Sequence, residues 1–365
     1  MFWKRRIYFD TAAGVSANPS SPHREGRQAK KMLEEARMQI ARLIEVQSDD
    51  VVFTSGATEA NALAILGLLK VGDHALYLPS AHASIVENMK LAATRSVQLD
   101  ALPIKDYQVD IGALKKMLRP TTKLVAMDAV CGETGVVWNT REVKQAIGTK
   151  ILLHVDASQA PTTEKITRAH FGADMLTFDA SKVGAIRGIG VLVAHRTIPL
   201  IPLYEGGGQE RGLRSGSEAP ELAQGFAGML RAAANEREAF RSRAEEDRKF
   251  LVGRIIKAIP NVYINEGPTG NGQASHILNL SLLGRDTDYL VALLDEAGIA
   301  VSTRSACETD SEIGSRAVFA LTSDEERAKA TLRISWGPSA SKRDFVRFVA
   351  AITEAVAFVD KGTHR

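Results

Sequence analysis

The sequence predicts an α/β fold: a mostly parallel sheet with helices on both faces. Short, continuously apolar runs alternate with amphipathic stretches, which is the pattern of strand–helix repeats. The apolar runs are rich in Val, Ile and Leu, as strands covered on both faces must be. The chain has 365 residues, more than one core usually spans, so a large unit and a smaller one are expected.

The elements follow in order. REGRQAKKMLEEARMQIARLIEV, from Arg24, is an amphipathic helix: Leu33, Ala36, Ile40, Leu43 and Ile44 share one face and charges lie opposite. KLVAMDA from Lys123, ILLHVDA from Ile151, DMLTFDA from Asp174 and IGVLVA from Ile189 each read as buried strands. A long helical stretch runs from Pro220 to Ile259 and stops at Pro260, whose ring cannot continue a helix. The domain boundary is placed there, with a large unit over 14–259 and a small one from 1–13 and 260–365. The small unit reads as strand HILNLSLL, helix DYLVALLDEAG and a terminal helix opened by Ser341 and Asp344, a capping-box pattern.

Composition excludes several classes of function. A net charge of +3, with 24% charged and 45% hydrophobic residues, argues against nucleic-acid binding, membrane-surface binding and global disorder. No apolar stretch reaches the length of a membrane span. Two cysteines, Cys131 and Cys307, make no disulfide framework and fit a reducing compartment, so a cytoplasmic location is expected.

Ligands of open parallel sheets sit beyond the carboxyl ends of the strands, and five segments are placed there or carry matching chemistry. FTSGATEANA turns from an extended stretch through Ser55, Gly56, Ala57 and Thr58 into a helix, and such a turn offers backbone N–H groups to an anion; the plain alternative is a capped turn. HVDASQA puts Asp156 at a strand end, where a carboxylate can pair with a protonated ring nitrogen or simply cap a turn. Lys182 follows DMLTFDAS; a Schiff-base lysine needs a confined site, whereas most lysines are solvated. EGGGQERGLRSGSEAP from Glu205 has the glycine content of close backbone approach, or of a flexible linker. STRSACETDSEIG sets Cys307 in a polar stretch, unlike a structural cysteine, and Arg333 in LRISWG either meets a carboxylate ligand or an internal ion pair.

Taken together and in this order, these segments resemble the cysteine desulfurases of the class V aminotransferase group. YFDTAAG, NPSSPHREGRQA, SGATEAN, HASIVEN, GETGVV, HVDASQ, the SK lysine, GGGQERGLRSGS, SAC and LRISWG carry the resemblance along nearly the whole chain. It implies the pyridoxal-phosphate (PLP) fold type I, with a seven-stranded, mostly parallel sheet and a smaller α/β C-terminal domain. It implies that Lys182 holds PLP, that Asp156 binds the ring nitrogen and Gln159 the ring hydroxyl, and that His82 stacks on the ring and moves protons. Thr58, the Ala57 amide and Ser181 would hold the phosphate, with Ser217 reaching a partner subunit's phosphate in a homodimer. Arg333, helped by the Asn18 region, would bind the substrate carboxylate. Cys307 would take sulfur from L-cysteine as a persulfide and, on a long loop between it and Arg333, carry it to an iron–sulfur scaffold or a sulfur carrier for tRNA modification. Cys131 has no implied role and reads as a small buried hydrophobe.

Four positions depart from the family pattern. Thr11 and Gly132 each stand where an asparagine is usual, Asp179 stands where a serine is usual, and Ser181 stands where a histidine is usual. A carboxylate at 179 must either face away from a phosphate or mark a rebuilt phosphate site. The competing expectations are a selenocysteine lyase, a cysteine sulfinate desulfinase or an aminotransferase of the same fold, or a non-catalytic binding subunit.

Overall fold

The computed structural model describes residues 7–15, 17–268, 272–303 and 314–362. Cys307 therefore lies outside the described residues. In chain order α1 (Arg24–Ile44) leads to β1 (Val51–Thr54), α2 (Ala57–Leu66), β2 (His74–Tyr77), α3 (Ala83–Ala93), β3 (Gln98–Ala101) and a small hairpin of β4 (Ile104–Lys105) and β5 (Gln108–Val109). Then come α4 (Ile111–Met117), β6 (Thr122–Asp128), α5 (Thr140–Ile147), β7 (Leu152–Asp156), α6 (Arg168–Phe171), β8 (Met175–Asp179), β9 (Gly190–Ala194) and α7 (Pro220–Ala258). The rest is β10 (Val262–Ile264), β11 (Ile277–Leu282), α8 (Thr287–Glu296), α9 (Arg316–Thr322), α10 (Glu325–Lys329), β12 (Thr331–Ser335) and α11 (Lys342–Gly362).

The large sheet has seven strands in the order β1-β9-β8-β7-β6-β2-β3. Every pairing is parallel except the two made by β9, which runs antiparallel to both β1 and β8. β7 and β9 are buried almost throughout because helices cover both faces, and this is why their sequences are apolar without alternation. α1 buries Leu33, Ala36, Ile40 and Ile44 as its periodicity requires, and packs along α7. Among the described residues no helix is long and apolar enough to cross a membrane.

Two hydrophobic cores result. The first surrounds the large sheet; the second lies between the antiparallel sheet β10-β11-β12 and the helices α8 and α11. α7 belongs to both. Its first turns bury Ala223, Phe226, Ala227 and Leu230 in the first core, and its later turns bury Phe240, Ala244, Leu251 and Ile255 in the second. Pro220 starts this helix at a position that needs no N–H donor, and the helix ends at Ile259 before Pro260. At α11 the capping box is present: Ser341 N–H and Oγ–H donate to Asp344 Oδ2 at 2.9 and 2.6 Å.

One expectation is corrected. The stretch from Cys307 to Arg333 is not one long loop, because α9 and α10 fill its second half. These helices bury Ala317, Val318 and Ala328, and each is capped, by Ser315 and Asp324 respectively. Chain free to form a loop therefore ends by about Gly314.

Candidate active site

The strand ends bring Asp156, Asp179 and Lys182 to one edge of the sheet. β7 ends at Asp156; β8 ends at Asp179, and a single 3-10 turn, Ala180–Lys182, follows it. A cavity of about 490 Å³ opens beside this edge. Gln159, Ser181 and Lys182 line it from the large sheet, and His276, Arg333 and Trp336 line it from the small one. Pairing of β11 with β12 sets Asn279 opposite Arg333, so Arg333 sits mid-strand with its backbone fixed. Its Nη1 donates to the Gly132 carbonyl at 3.2 Å, which joins the two sheets across the cavity.

Asp156 is buried and its carboxylate is fixed from both sides. Asn61 Nδ2 donates to Oδ2 at 2.7 Å, and the Ser158 N–H donates to Oδ1 at 2.9 Å. Asn61 is fully buried on α2 and organises more than Asp156. Its Nδ2 also donates to Ser84 Oγ at 2.8 Å, and its Oδ1 lies 2.9 Å from His154 Nε2. Burial pushes the His154 ring down to about 4, so it is neutral and donates to Asn61 from Nε2. Ser84 Oγ lies 2.8 Å from His82 Nδ1, and the Ser84 N–H donates to the same nitrogen at 3.2 Å. Since Ser84 already accepts from Asn61, its hydroxyl donates to His82, which leaves the proton of a neutral His82 on Nε2. The chain His154–Asn61–Ser84–His82 thus ties the ring of His82 to the carboxylate of Asp156.

Sequence reading missed Asn61, Ser84 and a second buried acid, Asp128. The available signal was a polar side chain within the apolar run ANALAIL, and an acid at the end of KLVAMD. Asp128 pairs with Asp156 in register across β6 and β7, and its Oδ1 is buried without a hydrogen-bond partner. Burial, and then the charge of Asp156, push its carboxyl up to about 8 from an ordinary 3.8. The native state therefore holds a proton there that the unfolded chain releases. The stability this confers is whole below about pH 4 and is lost as pH rises through about 8. Asp128→Asn is expected to raise the melting temperature more at pH 8 than at pH 5; a shift of equal size at both values would contradict a neutral Asp128.

The remaining candidates are placed as follows. Gln159 lies against Gly132, where a Cβ would come within 3.0 Å of Gln159 Nε2; an asparagine at 132 would have to displace it. Thr58, His82, Lys182 and Ser217 are exposed, so Lys182 is not confined by this chain alone as expected. Asn18 is engaged locally: its Nδ2 donates to the Ala13 carbonyl and its Oδ1 accepts from Ser20 N–H. Cys131 is buried, and burial pushes its thiol up to about 12. Ala57 N–H and Ser181 do not stand open to an anion: both donate to Asp179. Asp179 therefore does not face away.

The glycine-rich segment is not a free linker. Glu210 accepts two bonds of 2.7 Å from the Arg37 guanidinium and one of 2.8 Å from Phe53 N–H. Stranding either charge in so buried a pair would cost about 3–5 kcal/mol. Farther along, Arg214 Nε donates to Glu59 on α2 at 3.2 Å, and Tyr204 donates to the same carboxylate at 2.6 Å.

A ring with a protonatable nitrogen and an aldehyde fits part of this site: the anchored Asp156 carboxylate, the amide of Gln159 and the amine of Lys182. At the phosphate end the Ala57 and Ser181 donors are taken by Asp179.

Residues 8–348 match the family model described as aminotransferase class-V. The chain is 32% identical to cysteine desulfurase IscS 1 of Archaeoglobus fulgidus over 342 residues, 92% of this chain and 88% of that protein. Among solved structures, a NifS-like protein superposes with a TM-score of 0.86 at 26% identity, covering 94% of this chain and 92% of the other. SspA in complex with cysteine superposes at 0.75 with 26% identity, covering 91% and 94%.

Proposed function

We infer the activity from one premise, that the chain belongs to the class-V aminotransferase family: it is a cysteine desulfurase, a PLP-dependent enzyme that takes sulfur from L-cysteine and passes it to an acceptor. The observation that carries this reading is the meeting of Lys182, Gln159 and Arg333 in one cavity, with Gln159 three residues along the chain from the anchored Asp156. PLP, when bound, supplies an electron sink for the carbon skeleton of the substrate.

The residue roles are proposals. Lys182 would hold the cofactor and is placed to take the substrate's α-proton. Asp156 holds the ring N–H; Asn61 and Ser158 keep its oxygens in place for that bond. Gln159 meets the ring hydroxyl. His82 faces the ring and moves a proton at Nε2, its Nδ1 being committed to Ser84. Arg333 receives the substrate carboxylate, since its described side-chain bond, to Gly132, uses only Nη1.

Cys307 is the proposed sulfur acceptor within the chain. As thiolate it attacks the substrate sulfur. The carbon–sulfur bond breaks, a sulfur–sulfur bond forms on Cys307, and the electron pair stays with the carbon skeleton, which is protonated and leaves as alanine. The segment bearing Cys307 starts beside the cavity: Ser302 exchanges both backbone hydrogen bonds with Arg333, and the Thr303 carbonyl accepts from Thr331 Oγ1. Cys307 follows Thr303 by four residues, a length of chain that spans at most about 14 Å.

A homodimer is also proposed. Lys182, Thr58 and Ser217 are exposed, and so are the apolar side chains of Ile201, Leu203 and Tyr204 that lead into the glycine-rich segment. A second copy over this face would confine Lys182 and bring its own Ser217 to the phosphate. The acceptor proposed is an iron–sulfur scaffold or a sulfur carrier, and the compartment a reducing cytoplasm, where the free thiol of Cys131 is maintained.

The test is to incubate the PLP-loaded protein with L-cysteine and a thiol reductant and to quantify alanine and sulfide. Equal amounts of the two are expected, in excess of enzyme. Pyruvate in place of alanine, or no product from a protein with bound PLP, would overturn the reading.

A further inference from the structure

The phosphate end of the site already holds an anion that belongs to the chain. The Ala57 N–H, in the first turn of α2, donates to Asp179 Oδ2 at 2.8 Å. The Ser181 N–H and hydroxyl donate to Asp179 Oδ1 at 2.8 and 2.7 Å. Gly56 allows this approach: its φ is 152°, and a Cβ there would come within 3.1 Å of Asp179 Oδ2. Gly190 closes the arrangement from behind, since a Cβ on it would meet the Gly56 backbone at 2.8 Å. Three donors from two elements thus converge on one carboxylate, in a pocket shaped to hold it. These donors, at a helix N-terminus and after the β8 strand end, are of the kind that bind phosphate.

We propose that Asp179 is a resident anion in the cofactor's phosphate cradle and sets how strongly this enzyme selects phosphorylated over unphosphorylated pyridoxal. The proposal rests on the PLP-dependent reading above. A carboxylate and a phosphate dianion cannot share the Ala57 and Ser181 donors: each donor taken by one is lost to the other, and the like charges repel. Asp179 must turn out before the phosphate enters, so the phosphate contributes little to affinity. The ring and the aldehyde, held by Asp156, Gln159 and Lys182, contribute the larger part. Asp179 is then a specificity-determining residue, and pyridoxal binds nearly as well as PLP.

The experiment titrates the full-length protein, freed of cofactor, with PLP and separately with pyridoxal. Dissociation constants are read from the visible absorbance of the bound ligand and checked by equilibrium dialysis. Wild type is compared with Asp179→Ser and Asp179→Asn. Both replacements retain an oxygen that can cap the Ser181 N–H, and melting curves verify that each variant folds. The ratio of the pyridoxal constant to the PLP constant is expected to rise about tenfold or more in Asp179→Ser, the weight of one charge-assisted hydrogen bond regained by phosphate. A smaller rise is expected for Asp179→Asn, which removes the charge but keeps the bulk. The pyridoxal constant itself is expected to stay within about twofold, because its contacts are untouched. The same ratio in all three proteins, with both ligands binding, would overturn the proposal and leave the PLP-dependent reading standing. If neither ligand binds the folded wild type or the variants, the PLP-dependent reading falls, and the proposal with it.

Discussion

Lys182→Ala is expected to lower alanine formation from L-cysteine by at least about 10³-fold, the scale on which a positioned proton-transfer group acts, and to remove covalent attachment of PLP altogether. The argument is positional. Lys182 ends the short turn that follows β8, lines the same cavity as Arg333 and Gln159, and is the lysine placed there. The side chain is exposed, so its truncation opens no void and leaves no buried partner unpaired. The melting temperature should therefore hold while activity falls. Borohydride reduction before digestion should leave the cofactor mass on the peptide containing Lys182 in wild type and on no peptide in the variant. Turnover preserved in the variant would move the cofactor to another amine and dismantle the proposed site.

Cys307→Ala is expected to abolish sulfide release while the first proton transfer from L-cysteine survives. Lys182, not the thiol, performs that transfer, so exchange of the substrate α-proton with solvent should persist. The other thiol cannot substitute. Cys131 is buried, with its thiol pushed up to about 12. Near neutral pH its thiolate fraction is about three orders of magnitude below that of an ordinary cysteine. Cys131→Ala is correspondingly expected to leave sulfide release unchanged, and a clear loss there would contradict the assignment of roles to the two thiols.

The parts of this molecule legible from sequence are those set by local periodicity or strand ends. The apolar face of α1, the buried runs of β6 to β9, the Ser341–Asp344 cap and the placement of Asp156 and Lys182 at one edge all follow from residue spacing. What stayed hidden depends on contacts far apart in the chain. Asn61 and Asp156 are 95 positions apart, and only the docking of α2 against β7 makes them partners. The antiparallel direction of β9 is set by its connection to β8 and by pairing with β1, not by its composition. α9 and α10 are too short to show a period, and packing rather than propensity holds them. Asp179 was conspicuous as a residue type, but its direction was not: only the positions of Gly56 and Ala57 show that it points into the cradle.

The most direct measurement is the mass of the peptide containing Cys307 after the PLP-loaded protein is mixed with L-cysteine in the absence of reductant. One added sulfur atom on that peptide, appearing with one equivalent of alanine and absent from Cys307→Ala, is the expected result. Alanine formed with no sulfur on Cys307, or with sulfur carried on Cys131 instead, would contradict a desulfurase that works through Cys307.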